Sequence, residues 1–421
     1  MTLTVDDFVY DPFAPEVMAD PLPFYEVMRE HHPVYFVEEY DTFFLSRFQD
    51  AWDFLSFNDN EFVSNEGSVF TPQDVARRNE GPLADPPLTP LGSHLRYGSP
   101  TYEQVRQGHG KPLRPGSVRK LENFIRETVG GRLDALLPQG RFNLTHEFGG
   151  IVAASTMCQL LGIPLELAGD LLDTVNAISR TDHDEPGFAR DPAVYAKMRS
   201  FLLPRIAERR AAGAGSEGGT PAIDGMLQLR IDGRELSDEE IAVNLLCVQA
   251  GGTETVPKVF AHGLMELWRH PEQLAAVRAD PAANSVAAVE EMLRFCGPAQ
   301  WFARTCRTES VVAGQVVKPG QRVAYLTQSA NRDPREFGED AAEFRWDRPI
   351  PRTLAFGRGQ HFCIGVHVAR LELRIMLEEV LTRVSDFAID VEGAVRAPSS
   401  FQWGYGVVPV VVRQLSDGST P

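Results

Sequence analysis

Apolar residues recur at helical spacing along most of the chain, and this pattern predicts a mainly α-helical protein. Short runs rich in β-branched and aromatic residues predict a smaller β component at both ends of the chain. The predicted strands are Val34–Phe36, Phe43–Ser46, Val311–Val317, Arg322–Tyr325 and Val407–Val412. The fold class that follows is mainly α with small β-sheets.

Two segments interrupt the helical periodicity. Ala211–Ala222 reads AAGAGSEGGTPA, and its glycines predict a surface connection between two helices. Residues 66–100 contain six prolines, which predicts a long loop. Loops of this length inside compact domains are usually functional or disordered, so residues 66–100 are a candidate part of a binding pocket.

One predicted helix has a sharp start and an unusual interior. It begins with a capping box at Ser237 and continues through Gly251 and Gly252 to Pro257. In a helix interior each glycine costs roughly 1 kcal/mol and a proline about 3 kcal/mol relative to alanine. Pro257 also removes the hydrogen-bond donor for the carbonyl of Thr253. A helix interrupted in this way is locally inconsistent, which indicates a functional site.

The second unusual segment is a glycine-rich stretch, residues 356–365, which reads FGRGQHFCIG. Its three glycines allow a loop to fold closely against a flat ligand. The helix predicted after it carries an apolar stripe, made by Val366, Ala369, Leu373, Met376 and Val380. Cys363 lies just before that helix, where backbone amides and the helix dipole favour the thiolate, the form that ligates a metal. A lone cysteine in such a loop is otherwise most often a buried structural residue.

Composition and charge exclude several functional classes. The 421 residues include 41 basic and 58 acidic side chains, which gives a formal net charge of −17. Nucleic-acid-binding proteins need a basic surface, so we expect no nucleic-acid partner. With 43% hydrophobic and 24% charged residues, the chain can bury a sizeable core. No apolar run approaches the roughly 18–20 residues that span a bilayer, and the N-terminus lacks a signal-peptide pattern.

The five cysteines are scattered and form no CxxC pair. This number and spacing do not support a disulfide framework or a structural zinc site. They fit a reducing compartment. We therefore expect a cytoplasmic protein with no membrane partner, and we expect it to be a monomer.

The glycine-rich stretch resembles the haem-ligand loop of the cytochrome P450 family, F-G-x-G-x-H-x-C-x-G. All six fixed positions match, at Phe356, Gly357, Gly359, His361, Cys363 and Gly365. The resemblance implies a cytochrome P450 fold, with residues 1–421 forming one large haem-containing domain. In that fold a smaller β-containing region comes from both termini and a larger helical region holds the haem. It also implies haem b with Cys363 as the axial thiolate ligand, as known for this family.

Further matches to the family fall outside the cysteine loop. Glu291 and Arg294 match its E-x-x-R motif, with both side chains on one face of a helix. Arg348 matches the arginine that completes the family's structural network. The resemblance therefore assigns these three residues to the scaffold rather than to the chemistry.

The resemblance also implies which residues hold the haem propionates. Arg106, Arg304 and His361 would supply the cations and hydrogen-bond donors that carboxylates need. The family often has D-P-P-x-H before the first arginine, whereas this chain has Tyr102 at the histidine position. A tyrosine hydroxyl can also donate a hydrogen bond to a propionate.

The interrupted helix matches the family's [A/G]-G-x-[D/E]-T motif at residues 251–255. The resemblance implies that Gly251 lets the backbone approach the haem, Glu254 supplies protons and Thr255 hydrogen-bonds dioxygen. Helical spacing places Cys247, Gly251 and Thr255 on one stripe. The alternative is that the Thr255 hydroxyl only bonds a carbonyl of its own helix, as helical threonines often do.

Substrate residues are less specific in the sequence. Period-2 alternation puts Gln300, Phe302 and Arg304 on one face of a strand, a face that in the family runs from the substrate pocket to a propionate. The candidate substrate residues are Cys247, Gln300, Phe302, Phe401 and Trp403, with Phe70, the 66–100 loop and the turn at Phe401–Tyr405. Together they suggest an apolar, partly aromatic pocket. Each is equally compatible with a place in the core.

The leading hypothesis is a bacterial-type haem-thiolate monooxygenase that inserts one atom of O₂ into a mostly apolar small molecule. The chain contains no G-x-G-x-x-G nucleotide motif and no iron–sulfur cysteine spacing, so a ferredoxin and its reductase would be separate chains. A basic patch for the ferredoxin would consist of Arg106, Lys111, Arg114, Arg119, Lys120 and Arg358. The alternatives are a peroxide-dependent haem-thiolate peroxygenase and a non-catalytic haem or ligand binder.

Overall fold

The computed structural model describes residues 7–64, 68–79, 97–179, 192–396 and 399–415. In these residues the helices are α1 Pro15–Ala19, α2 Leu22–His31, α3 Phe48–Phe54, α4 Pro72–Asn79, α5 Thr101–Gly110, α6 Pro115–Val118, α7 Glu122–Leu136, α8 Ile151–Leu161, α9 Ala168–Ser179, α10 Pro192–Ala212, α11 Pro221–Leu227, α12 Asp238–Arg269, α13 Pro271–Ala279, α14 Pro281–Phe295, α15 Thr327–Ala330, α16 Pro334–Phe337 and α17 Val366–Arg383. The strands are β1 Val34–Val37, β2 Thr42–Leu45, β3 Phe62–Val63, β4 Arg141–Asn143, β5 Arg230–Ile231, β6 Arg234–Glu235, β7 Trp301–Cys306, β8 Ser310–Val312, β9 Gln315–Val317, β10 Arg322–Leu326, β11 Val384–Ile389 and β12 Pro409–Leu415. The predicted class, mainly α with small sheets, is confirmed.

The predicted loops are partly confirmed. The connection between α10 and α11 is short and exposed, as the glycines of that segment predict. Much of the predicted 66–100 loop, at residues 66–67 and 80–96, lies outside the described residues. Its described part contains α4, so this segment is not a continuous loop. No helix in the described ranges is long and apolar enough to cross a membrane.

The largest sheet has the strand order β1-β2-β10-β7-β3, so it joins the N-terminal strands to strands from the second half of the chain. Strand β10 pairs parallel to β2 and antiparallel to β7. A smaller sheet has the order β11-β12-β4. The parallel pair requires a long crossover through most of the helices, which lie between β2 and β10 in sequence.

The predicted strand Val311–Val317 is wrong in one respect. It is a hairpin of β8 and β9, because the chain reverses at Ala313 and Gly314. Both residues have positive φ, 46° and 80°, as a two-residue hairpin turn of type I′ requires. Because alanine occupies the first turn position, the sequence lacks the Asn-Gly or Asp-Gly pair that usually predicts such a turn.

Helix α12 runs through the centre of the helical region and is continuous rather than interrupted. The predicted capping box is present, with the Ser237 hydroxyl 3.2 Å from the Glu240 amide. Pro257 lies inside the helix, and its ring packs against Gly149 in a π-helical segment, Leu144–Gly150. A Cβ atom on Gly149 would lie 3.2 Å from the Pro257 Cα. Close packing around α12 therefore compensates the local weakness that its sequence shows.

A buried ionic network holds the second half of the chain together. Glu291 and Arg294 form a bidentate pair on α14, with both N–O distances 2.6 Å and both side chains fully buried. Arg348 lies 3.4 Å from the same carboxylate. Arg294 also donates to the carbonyls of Asn331 and Ala341, at 2.6 and 2.8 Å. These contacts are those of a structural network, as the resemblance implies.

We expect Arg294→Ala to lower the free energy of unfolding by about 3–5 kcal/mol, because Glu291 would remain buried without its cation. The measurement is the melting temperature and the yield of folded protein. A matched control is Arg234→Ala, which breaks an exposed bidentate pair with Glu240 and should change stability little. Equal melting temperatures for the two variants would contradict a scaffold role for Arg294.

Candidate active site

A cavity of about 340 Å³ lies between α12, the glycine-rich loop, β7 and the turn that precedes β12. Its wall is mostly apolar. It brings together most of the predicted site residues, namely Tyr102, Arg106, Cys247, Gly251, Glu254, Thr255, Phe302, Arg304, Phe356, Gly357, His361, Cys363, Gly365 and Phe401. Residues from five separate stretches of sequence therefore meet at one cavity.

The glycine-rich loop positions Cys363 at the cavity wall, immediately before α17. The Cys363 amide donates to the Phe356 carbonyl at 2.9 Å, which closes the loop on itself. Gly357 and Gly359 have positive φ, 66° and 71°, where other residues are strained. A Cβ atom on Gly359 would also clash with the carbonyl oxygen of Leu55. The loop therefore needs glycine at these two positions.

Burial raises the pKa of the Cys363 thiol, while the amides of Gly365 and Val366 and the charge of Arg106 act in the opposite direction. The helix N-terminus thus favours the thiolate, as the sequence predicts, but desolvation has the larger effect. A bound metal cation would supply the missing positive charge and deprotonate the thiol outright.

Two observations show that these residues fit a haem. A Cβ atom on Gly251 would meet nothing within 4 Å on the cavity side. Two buried nitrogens in the described structure, Arg304 Nε and His361 Nδ1, have no partner and can serve a carboxylate.

The predicted propionate residues form a second polar group at the cavity. Tyr102 is fully buried, and its ring lies 4.6 Å from the His361 ring. Its hydroxyl accepts a hydrogen bond from Arg106 at 3.3 Å, and burial raises its pKa to about 12. Arg106 also donates to the Phe362 carbonyl, which joins α5 to the cysteine loop. Tyr102 therefore stands where the family histidine is expected and stays neutral.

One face of α12 forms the opposite wall. Cys247, Gly251 and Thr255 all line the cavity, which confirms the predicted stripe. The Thr255 hydroxyl donates to the Gly251 carbonyl at 2.7 Å. This is the bond that the structural alternative predicts, yet the hydroxyl oxygen remains a hydrogen-bond acceptor at the cavity wall. The two roles of Thr255 are therefore compatible.

Glu254 is part of a three-residue network that the sequence did not reveal. Its carboxylate accepts from Lys258 at 2.5 Å and from the Gln402 amide at 2.6 Å. Lys258 in turn donates to the Gln402 oxygen at 2.6 Å. The acid is therefore paired with a cation on its own helix and anchored to the turn that carries Phe401. The i, i+4 spacing of an acid and a lysine on α12 was the available signal.

Glu372 is a second acid that sequence reasoning missed. It is fully buried on α17, borders the cavity, and has no charged partner among the described residues. Burial raises its pKa to about 8 against a smaller, opposite effect of the Thr156 hydroxyl, so it is mostly neutral at pH 7. An acid within the predicted apolar stripe of that helix was the signal that could have found it.

Three predicted substrate residues do not reach the cavity wall in the described part of the chain. Gln300 accepts from the Tyr25 hydroxyl at 2.9 Å and donates to the Gln402 carbonyl at 3.0 Å. Trp403 is buried under Arg396, whose guanidinium lies 4.3 Å from the ring centre. Phe70 packs in the core beside Trp301. Gln300 and Trp403 support the turn that carries Phe401, so the prediction of pocket contacts for all three was wrong.

The buried carboxyl of Glu372 predicts a pH-dependent stability. Its pKa rises from 4.5 to about 8 on folding, so the stability it contributes is complete below pH 4.5 and is lost as the pH rises through 8. Glu372→Gln should therefore change the melting temperature little near pH 5 and raise it near pH 8–9. The measurement is thermal unfolding at both pH values. An equal change in melting temperature at both pH values would show that Glu372→Gln acts through side-chain shape rather than through charge.

Comparison with known proteins agrees with this geometry. Residues 285–408 match the family model described as Cytochrome P450. A protein called "Putative cytochrome P450 123", from Mycobacterium tuberculosis (strain ATCC 25618 / H37Rv), is 30% identical over 98% of this chain and 100% of its own length. "Cytochrome P450 monooxygenase PikC" from Streptomyces venezuelae is 30% identical over 78% of this chain and 76% of its own.

A solved structure is also similar over nearly the whole chain. It is a mutant of P450 EryK in complex with erythromycin B, with 27% identity and a TM-score of 0.78. The match covers 96% of this chain and 98% of the other. With relatives that share both sequence and fold along nearly all of its length, the chain belongs to the cytochrome P450 family of haem-thiolate monooxygenases.

Proposed function

We propose that residues 1–421 form one catalytic domain that acts in the cytoplasm, with a ferredoxin and its reductase as electron donors. Its substrate is a mostly apolar small molecule, into which it inserts one atom of O₂. The observation that supports this most is the meeting of Cys363 and the Glu254–Thr255 pair at one cavity. All five cysteines are free thiols, which agrees with a reducing compartment.

Haem b would be held by Cys363 as axial ligand, with Tyr102, Arg106, Arg304 and His361 around its propionates. When bound, it supplies an iron centre that activates dioxygen with two electrons and two protons. Phe356 and the glycines of the loop, at Gly357 and Gly365, shape the wall on the ligand side. Gly251 leaves space on the opposite side.

The protein side chains in this proposal hold and move protons. The Thr255 hydroxyl donates its hydrogen bond to the Gly251 carbonyl, and its oxygen can accept a hydrogen bond from a group in the cavity. Glu254 carries protons toward it, and Lys258 keeps that carboxylate in place. Because both side chains are only 12% exposed and their charges neutralise each other, the pocket remains suited to an apolar guest.

The substrate would lie against Cys247, Phe302 and Phe401. The two phenylalanine rings meet edge to face, with centroids 5.2 Å apart. An apolar wall with few polar groups binds through burial of carbon surface. The similar EryK structure holds erythromycin B, which agrees with an organic substrate of this class.

A ferredoxin would dock beside the cysteine loop. Four cations there are exposed, at Lys111, Arg114, Arg119 and Lys120. Two further cations are fixed by contacts. Arg358 lies 4.2 Å from the centre of the Trp52 ring, and Arg106 donates to Phe362. A local basic surface on a chain of charge −17 attracts an acidic partner and orients it.

Cys363→Ser should abolish the thiolate-type Soret band of the reduced carbon monoxide complex, because serine cannot supply the soft, electron-rich ligand. The measurement is the absorbance difference spectrum. Cys247→Ser is the matched control, since Cys247 lines the same cavity without ligating the metal, and it should keep the band. Retention of the band in Cys363→Ser would overturn the ligand assignment.

Thr255→Ala should leave nucleotide consumption largely intact but replace much of the product by hydrogen peroxide, because proton delivery loses its acceptor. Glu254→Gln should instead slow turnover by a factor of about 10²–10⁴ and enlarge the solvent isotope effect. The measurement is product and peroxide formed per nucleotide consumed, with a surrogate ferredoxin and its reductase.

Two outcomes would change the proposal. If Thr255→Ala forms as much product per nucleotide consumed as the wild type, the Thr255 hydroxyl has only the role of bonding its own helix. Thr253→Ala is the control, because the Thr253 hydroxyl bonds the Gln249 carbonyl away from the cavity. Product formation with peroxide alone, and none with the ferredoxin system, would favour the peroxygenase instead.

A further inference from the structure

Asp59 lies at the haem-propionate site, although neither a sequence motif nor the resemblance points to it. It belongs to the loop between α3 and β3, and only 8% of its surface is exposed. Its Oδ1 is 3.3 Å from Arg304 Nη2 and 3.3 Å from His361 Nε2. Its Oδ2 accepts from the Gln360 amide at 3.1 Å. One carboxylate therefore contacts both of the residues assigned to a propionate on this side of the cavity.

These contacts divide the nitrogens of Arg304 and His361 into two sets. Arg304 donates through Nη1 to the Phe57 carbonyl at 2.7 Å and through Nη2 to Phe62 and Asp59. His361 uses Nε2 for Asp59. In the described structure, Arg304 Nε and His361 Nδ1 are the nitrogens of these side chains that remain buried without a partner. Asp59 and a propionate can thus contact the same two side chains at once, through different atoms.

The electrostatics of the pair depend on whether haem is bound. Arg304 and Asp59 are a buried ion pair, with side chains 5% and 10% exposed. Burial alone would raise the pKa of Asp59, but His361 and Arg304 reverse this and hold the pKa below its usual value. Asp59 is therefore an anion in the haem-free protein. A propionate adds a second anion against the same guanidinium, and like charges at such distances repel in a low-dielectric site.

We propose that Asp59 is a built-in counter-ion of the propionate site, which stabilises the chain without haem and weakens its hold on haem. The inference rests on the proposed placement of a propionate at Arg304 and His361. Without haem, Asp59 is the carboxylate that neutralises Arg304. With haem, a propionate shares this role, so Asp59 contributes less to stability. A residue that stabilises the haem-free state more than the loaded state must lower haem affinity by the same difference.

Asp59→Asn removes this charge and keeps an oxygen that can accept from both Arg304 and His361, while it gives up the hydrogen bond from the Gln360 amide. Haem-loaded protein is purified for each variant, and haem transfer to an excess of a haem-scavenging globin is followed by Soret absorbance. We expect Asp59→Asn to release haem about tenfold more slowly than wild type, a typical size for coupling between two sites. The haem-free form should melt lower, by about 5 °C, since Arg304 loses its buried partner.

Asp53→Asn is the matched control, because it removes the same charge from an exposed position on α3, where Asp53 accepts a hydrogen bond from the Gln49 amide at 2.8 Å. It should release haem at the wild-type rate. Asp59→Glu, which keeps the charge, should also stay near wild type. Arg304→Gln should release haem faster, because it removes the cation that the propionate needs.

The outcomes separate the inference from the proposed function. If Asp59→Asn releases haem as fast as Asp53→Asn or faster, while Arg304→Gln releases it faster than wild type, the counter-ion role is wrong and the propionate placement stands. If Arg304→Gln also matches wild type, the propionate placement itself is wrong. Because loaded protein is compared, instability of the haem-free variant does not prevent the measurement.

Discussion

The buried carboxylate of Glu291 is the constraint on which the cysteine loop depends. It holds Arg294, which donates to the carbonyl of Asn331. The Asn331 side chain accepts the amide of Leu354 at 2.9 Å, and the Leu354 carbonyl accepts the amide of Gly357 at 3.0 Å. An unbroken series of hydrogen bonds thus runs from the ionic network to the start of the loop. Since Glu291, Arg294, Asn331 and Leu354 are all buried, the network fixes the position of the loop that carries the thiol.

The site combines three ways of handling buried charge. The Cys363 thiol relies on amides and a nearby arginine against desolvation. Glu254 is paired with a lysine one helical turn away. Glu372 has no charged partner among the described residues, and burial raises its pKa to about 8. These three acids border one cavity, yet the means by which each buried charge is stabilised or avoided follows from its neighbours rather than from its residue type.

Motif residues were predictable from the sequence because their spacing is local. The capping box at Ser237, the stripe on α12 and the loop around Cys363 all depend on neighbours a few residues apart. Contacts such as those of Asp59 with His361 and of Lys258 with Gln402 join residues far apart in sequence. The periodicity of the sequence does not reveal such long-range contacts. Gln300 was misplaced for the same reason, since its partners Tyr25 and Gln402 decide which way it faces.

The adjacent glycines of α12 have opposite consequences for how the pocket can change. A methyl group at Gly251 would project into open space, so substitutions there would subtract directly from the volume left for a guest. A methyl group at Gly252 would strike the thioether of Met157 on α8, so the two helices would have to separate first. Variation at the first position can therefore tune substrate size by itself. Variation at the second is tied to a compensating change in another helix, which makes it far less accessible to single mutations.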